Sequence, residues 1–96
     1  MIADMHCDTI SEILSHREKG EKISLRENNL HIDLKRMEKS GYLVQNFALF
    51  VEKGRVYDPW QQVCRLAEVY KEELSANQDL IAPALNGADI WENHKR

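Results

Sequence analysis

The segment at residues 42–51 constrains the fold most, because it is apolar at every position except Gln45 and Asn46. A strand that is apolar on both faces is typical of the interior of a parallel sheet, where helices cover both sides. The segment therefore predicts one long central strand and an α/β fold. The two amides need partners there, since an unpaired buried amide costs about 1–3 kcal/mol. We expect bonds to neighbouring backbone in preference to contacts with a substrate.

A second strand and a helix are predicted at the start of the chain. Residues 1–8 form a short, mostly apolar run, and a helix begins at Thr9, where Thr9 and Glu12 fit a capping box. Gly20 is a good stop for this helix. Its expected buried positions are Ile10, Ile13 and Leu14.

Local signals mark three further helices. Asp33 caps a short helix that Gly41 ends. Asp58, followed by Pro59, begins the longest helix. An Asn-Gly turn then leads into a helix at residues 88–96. The apolar stripe of the longest helix, which we expect to lie on the sheet, consists of Trp60, Val63, Ala67, Tyr70 and Leu74.

The alternation of strands and helices predicts right-handed βαβ units in a parallel sheet. Two strands leave their edges open and give their helices only a narrow surface. We therefore expect the chain to be part of a larger domain. If it becomes ordered alone, other copies should cover its open edges, in a homo-oligomer or by strand swapping.

Composition argues against several classes of function. With 96 residues and a net charge of -3, the chain has no electrostatic footprint for nucleic acid. Its sequence has neither a signal peptide nor an apolar run that could cross a bilayer, so we expect no membrane association. Cys7 and Cys64 are too few for a disulfide framework. We expect two reduced thiols and a cytoplasmic protein.

The first strand ends in a His-x-Asp motif. Residues two apart in a strand point to the same side, so the imidazole of His6 and the carboxylate of Asp8 should lie together at the carboxyl end of the strand. Parallel α/β folds place their chemistry at that end. The pair would make half of a metal site, with Cys7 pointing away as a packing residue. The alternative is a hydrogen-bonded structural histidine.

The remaining histidines are expected to lie on the surface. His16 follows the buried stripe of the first helix, His31 precedes a helix cap, and His94 lies near the end of the last helix. If the chain bound zinc tightly, His31 and His94 would be the first additional ligands to test.

Three stretches carry a resemblance to a known family. They are residues 4–9 (DMHCDT), residues 31–37 (HIDLKRM) and residues 41–51 (GYLVQNFALFV). Together they resemble the start of the membrane (renal) dipeptidase family, specifically its bacterial members. The family pattern is Asp-x-His-x-Asp on the first strand, then Asp-Leu-x-Arg-Leu, a glycine and a second strand with a glutamine and an aromatic residue. The resemblance is looser after Tyr57, where the helix pattern and residues 88–90 agree.

The resemblance implies a zinc-dependent (β/α)8 TIM barrel of the amidohydrolase kind that hydrolyses dipeptides with two zinc ions. Residues 1–96 would be its amino-terminal part, within a single barrel domain. His6 and Asp8 match the pair that binds one metal. The bridging glutamate and two later histidines of the family would follow Arg96, so we expect these residues alone to bind zinc weakly and to be inactive.

Two functional hypotheses remain open. The first is the amino-terminal part of a zinc metallodipeptidase, and the second is a non-enzymatic α/β assembly or binding module on the same scaffold. The reading frame downstream of Arg96 distinguishes them. A further strand with a glutamate, followed by distant histidines, would favour the enzyme, whereas a stop codon would favour the module.

Overall fold

The computed structural model describes residues 1–51 and 58–95, which form four helices and a two-stranded parallel sheet. This architecture agrees with the predicted α/β class, while the (β/α)8 barrel stays a prediction. In chain order the elements are β1 (Ile2–Asp4), α1 (Thr9–Glu18), α2 (Leu34–Ser40), β2 (Tyr42–Gln45), α3 (Pro59–Ala76) and α4 (Gly87–His94). Among these residues, no helix has the length and apolar character that crossing a bilayer requires.

Short-range signals in the sequence predicted the bounds of α2 and the starts of α3 and α4 to within about one residue. The Asp33 carboxylate accepts a hydrogen bond from the third residue of α2, and Gly41 ends that helix in the left-handed region at φ 76°. Asp58 caps α3 in the same way, with proline at the first helical position. The predicted Asn-Gly turn proves to be a cap, because the Asn86 side chain accepts from the Asp89 amide at the start of α4.

The predicted central strand is shorter than expected. β2 has four residues, not the ten at 42–51, and its partner β1 has three. The ladder is irregular, because Ile2 is in register with Tyr42 but Ala3 is in register with Val44. A strand extends only as far as a partner extends beside it. The charged loop predicted at residues 52–57 lies outside the described residues.

The core lies between α1, α2, α3 and the loop that joins α1 to α2. Ile10, Ile13 and Leu14 are buried as predicted, and Leu25 anchors the loop with 1% of its surface exposed. The completely or nearly completely buried residues of this cluster are Ile10, Ile13, Leu25, Leu34 and Leu66.

The buried face of α3 differs from the predicted stripe. The buried residues are Leu66, Val69 and Glu73, whereas Trp60 is 75% exposed. Ala67, Tyr70 and Leu74, which belong to the predicted stripe, are only half-buried. The helix is therefore rotated by roughly one residue, about 100°. The physical reason is that α3 packs against α1 and not across a broad sheet.

A buried polar network joins α1 and the loop after it to α3. Glu73 and Asn77 are both 3% exposed. The Arg17 guanidinium donates to the Glu73 carboxylate with Nη2 2.6 Å from Oε1, and the Asn77 amide donates to the other carboxylate oxygen. Arg26 donates to the side-chain oxygen of Asn77 and forms a bidentate ion pair with Asp79. Each buried charge in this network therefore has an opposite charge or a dipole as its partner.

The loop before α2 contains a second buried carboxylate, Asp33, which is 2% exposed. Burial opposes its ionisation, but hydrogen bonds from the backbone amides of Asn28 and Arg36 and from the Arg36 guanidinium outweigh burial and lower the pKa of Asp33. Since the pKa in the folded state lies below that in the unfolded state, the carboxylate stabilises the fold above the unfolded pKa. That contribution is lost as the pH falls through the folded pKa.

We expect Asp33→Asn to remove this acid sensitivity, because asparagine keeps an oxygen for the cap but does not titrate in this range. Urea unfolding at a series of pH values measures the free energy of unfolding of both proteins. The wild-type advantage should be largest at neutral pH and should shrink below the range in which an ordinary aspartate titrates. An advantage that is constant with pH would contradict the role given to Asp33.

Candidate metal centre

The two residues of the His-x-Asp motif lie together just beyond the carboxyl end of β1. His6 Nε2 is 3.1 Å from Asp8 Oδ1, and the two side chains are 64% and 52% exposed. The expected meeting of these side chains is therefore observed. Whether they bind a metal stays a prediction.

Asp8 is the N-cap residue of α1, but its carboxylate does not cap the helix. The side chain accepts no capping hydrogen bond from the residues that the structure describes, and only its backbone carbonyl accepts from the Glu12 amide. The predicted capping box at Thr9 is therefore wrong by one residue, and Thr9 is buried as the first residue of the helix. An aspartate at an N-cap normally satisfies an exposed amide. Here the carboxylate instead contacts the imidazole.

A bulge between Asp4 and Cys7 includes His6 and directly precedes Asp8. Beyond β2, the amides of Asn46 and Ala48 donate to the carbonyls of Asp4 and Cys7 at 3.0 and 2.9 Å. The donors are two residues apart and the acceptors three residues apart, so the first segment holds one extra residue. Such a bulge bends a strand and changes the direction of a side chain. The pair consequently meets in a bulged segment, and simple strand alternation does not describe it.

Gln45 and Asn46 lie beside this bulge. Gln45 Nε2 donates to the Asn46 carbonyl at 2.9 Å, which confirms the predicted bond to neighbouring backbone. The side-chain amide of Asn46 instead donates to the sulfur of Met5 at 3.6 Å, so its observed partner is a side chain and not the predicted backbone. Gln45 Oε1 is buried and has no hydrogen-bond partner in residues 1–51 and 58–95. This orphaned oxygen was not foreseen, although a glutamine at the end of an apolar strand was a signal for it.

Cys7 lies between the two candidate ligands in sequence but is buried, with 8% of its surface exposed. Burial raises the pKa of the Cys7 thiol, and the negative charges of Asp4 and Asp8 add to this effect, while hydrogen bonds with Thr9 oppose it. Metals bind the thiolate and not the thiol. The pKa therefore argues for the predicted packing role.

The geometry of the pair fits one zinc ion. Ligand bonds of about 2.0–2.2 Å in a tetrahedral arrangement place two ligand atoms about 3.4 Å apart. The 3.1 Å between His6 Nε2 and Asp8 Oδ1 is close to that separation. Imidazole nitrogen and carboxylate oxygen are both accepted zinc ligands. The same distance also fits an ordinary hydrogen bond.

The described part of the chain does not bring a complete set of candidate metal ligands together. It contains no group of three or more histidine, cysteine, aspartate or glutamate side chains that could hold a metal ion. His16 contacts the Glu21 carboxylate, and the ring of His94 lies edge-on to Trp91. His31 is exposed, as expected. Any further ligands would have to be added to His6 and Asp8.

A groove of about 730 Å³ follows the outer edge of β2. Its lining comes from β2, from all of the helices except α1, and from the connection before α4. Representative lining residues are Met37, Tyr42, Phe47, Tyr70 and Ile81. β1 pairs with one edge of β2. The other edge of β2 is therefore the one on which another strand could pair.

Comparison of the chain with protein-family models, with curated proteins and with solved structures finds no match.

Proposed function

We propose that this chain supplies the first strands and helices of a (β/α)8 barrel in a zinc-dependent dipeptidase, with His6 and Asp8 as ligands of one metal ion. The single observation that carries the proposal is the 3.1 Å approach of His6 Nε2 to Asp8 Oδ1 at the carboxyl end of a parallel strand. Barrel and open-sheet enzymes hold their catalytic groups at that end. The exposed Asp8 carboxylate, which does not cap α1, supports the same assignment.

Each residue has a defined task in this site. The Asp8 carboxylate provides negative charge for the cation, and His6 provides a neutral nitrogen. When bound, zinc ions lower the pKa of a shared water and polarise the carbonyl of the dipeptide substrate. Two protein ligands hold an ion weakly, so the proposal requires ligands from further strands. The resemblance suggests a bridging glutamate and two histidines in that role, and a second zinc ion.

The open sheet supports the proposal that more strands complete the domain. β2 has an outer edge beside the groove, and a two-stranded sheet by itself is marginal. In a longer parent the next strand would occupy that edge. Residues 1–96 alone would instead form a homo-oligomer or a strand-swapped assembly. The free thiols of Cys7 and Cys64 support a cytoplasmic location.

Zinc titration followed by NMR tests the metal site in the chain itself. We expect Zn²⁺ alone to shift the ring signals of His6 and the signals of Asp8, with weak affinity. Asp8→Asn should lower that affinity at least about tenfold, because it replaces a charged ligand by a neutral amide. Asp58→Asn, the same change at the exposed N-cap aspartate of α3, is the matched control. Equal zinc binding by wild type and Asp8→Asn would refute the assignment.

The enzymatic part of the proposal is tested in the parent protein. Extension of the reading frame past Arg96 should encode a strand with a glutamate and later histidines. The extended protein should then hydrolyse dipeptides when loaded with zinc, and His6→Ala should abolish that activity. An extended protein that binds zinc at His6 and Asp8 but hydrolyses no dipeptide would refute the reaction while leaving the metal site in place.

A second candidate is a non-enzymatic assembly module, and the exposed large apolar side chains favour it. Leu85 is 92% exposed, Met1 76% and Trp91 52%. Surfaces of this kind often mark protein interfaces when they are contiguous. Light scattering that finds a stable oligomer, together with no zinc effect at His6, would favour the module over the dipeptidase.

A further inference from the structure

We propose that the side chain of Gln45 is a positioning residue, which maintains the bulge that brings His6 against Asp8. The inference concerns the shape of the protein without metal. It rests on the proposed function only where zinc affinity is used as a second readout.

The hydrogen bonds on either side of the bulge locate the irregularity. In a regular parallel ladder that continues from the Asn46 to Asp4 bond, the His6 amide would donate to the Asn46 carbonyl, and the Ala48 amide would donate to the His6 carbonyl. In the described residues no backbone hydrogen bond joins His6 to Asn46, and the Ala48 amide donates to the Cys7 carbonyl. The slip therefore begins at the Asn46 carbonyl.

The Gln45 side chain donates a hydrogen bond to that carbonyl. Its Nε2 donates to the Asn46 backbone oxygen at 2.9 Å, and in an unbroken ladder the His6 amide would donate to the same oxygen. The side chain thus competes with the His6 amide for this acceptor, and the first segment holds one more residue before pairing resumes at Cys7. The bulge bends and twists this segment, which brings His6 and Asp8 closer than in a flat strand.

The side-chain oxygen of Gln45 indicates that this residue does more than fill space. Oε1 is buried without a hydrogen-bond partner in the described residues, which is unfavourable. A methionine has nearly the same length and would avoid this unpaired oxygen. The contact of Nε2 with the Asn46 carbonyl is therefore the feature of Gln45 that methionine cannot reproduce.

Gln45→Met tests the inference by NMR. We expect the through-hydrogen-bond coupling of the Ala48 amide to move from the Cys7 carbonyl to the His6 carbonyl. We also expect the cross-relaxation between the His6 ring and the Asp8 side chain to be lost. Gln61→Met, the same change at an exposed position of α3, should alter neither signal. If Gln45→Met keeps the Cys7 coupling and the His6 to Asp8 contact, the inference is overturned.

A second variant keeps the test decisive if Gln45→Met does not fold. Gln45→Glu has the same length and remains polar, but at neutral pH its carboxylate accepts hydrogen bonds and cannot donate to the Asn46 carbonyl. The same change of partner at Ala48 is expected in this variant. Retention of the wild-type pairing in Gln45→Glu would overturn the inference.

Titration with Zn²⁺ alone separates this inference from the proposed function. Gln45→Met should bind Zn²⁺ about tenfold more weakly than wild type, as is typical when a group that orients a metal ligand is removed. If wild type binds no zinc but the coupling at Ala48 still moves in the variant, the positioning role holds and the metal site fails. If wild type binds zinc and the coupling does not move, the metal site holds and the positioning role fails.

Discussion

Replacing Arg17 by methionine is expected to lower the free energy of unfolding by about 3 kcal/mol, because it leaves the Glu73 carboxylate buried without its ion pair. The Glu73 side chain is 4% exposed, and among the described residues its carboxylate would keep only the hydrogen bond from the Asn77 side-chain amide. Small domains have about 5–15 kcal/mol of stability in total, so the loss would be large. Urea unfolding followed by circular dichroism measures it.

Two further variants separate the buried ion pair from the exposed one. Arg17 also contacts Glu72, whose side chain is 66% exposed. Glu72→Gln should cost no more than about 1 kcal/mol, because exposed pairs contribute little. Adding Glu73→Leu to Arg17→Met should recover most of the lost stability, since an apolar pair can replace a buried ion pair. If Arg17→Met and Glu72→Gln were equally mild, the buried pair would not have the importance given to it here.

Leu66→Ala is expected to lower the free energy of unfolding by about 2–5 kcal/mol, the usual cost of truncating a fully buried leucine. Leu66 is 1% exposed and lies in the core between α1 and α3. Trp60→Ala, on the same helix, removes a larger side chain that is 75% exposed. It should change stability by no more than about 0.5 kcal/mol.

This pair of substitutions distinguishes the structure from the stripe that the sequence predicted, because the stripe included Trp60 and omitted Leu66. Thermal unfolding of both variants gives a direct comparison. A large loss for Trp60→Ala and a small one for Leu66→Ala would mean that α3 buries its predicted face, contrary to the structure.

The helix bounds were predictable because each depends on residues close in sequence. The cap at Asp33 involves an amide three residues later, and the stop at Gly41 depends on one residue's freedom to adopt a positive φ. Asp58 and Pro59 act over the same short range. The position of α4 was predicted well for the same reason, although its cap was described as a turn.

The length of β2 and the orientation of α3 were not predictable, because both depend on distant partners. An apolar run at residues 42–51 has the composition of a strand, but only its first four residues form a strand beside β1, and their pairing contains a register shift. Glu73 shows the same limit. A glutamate in a helix is usually solvent-exposed, and only the approach of Arg17 from α1 explains its burial.

The sequence by itself determined the bounds of α2 and the starts of α3 and α4, and its His-x-Asp motif indicated His6 and Asp8 as candidate metal ligands. Only the tertiary structure decided how those two side chains meet, through a bulge between segments that are more than thirty residues apart. The physical reason is the sequence separation over which each interaction acts. Caps and glycine stops act within one helical turn. Strand pairing, the burial of charge and side-chain orientation depend instead on which distant residue lies alongside.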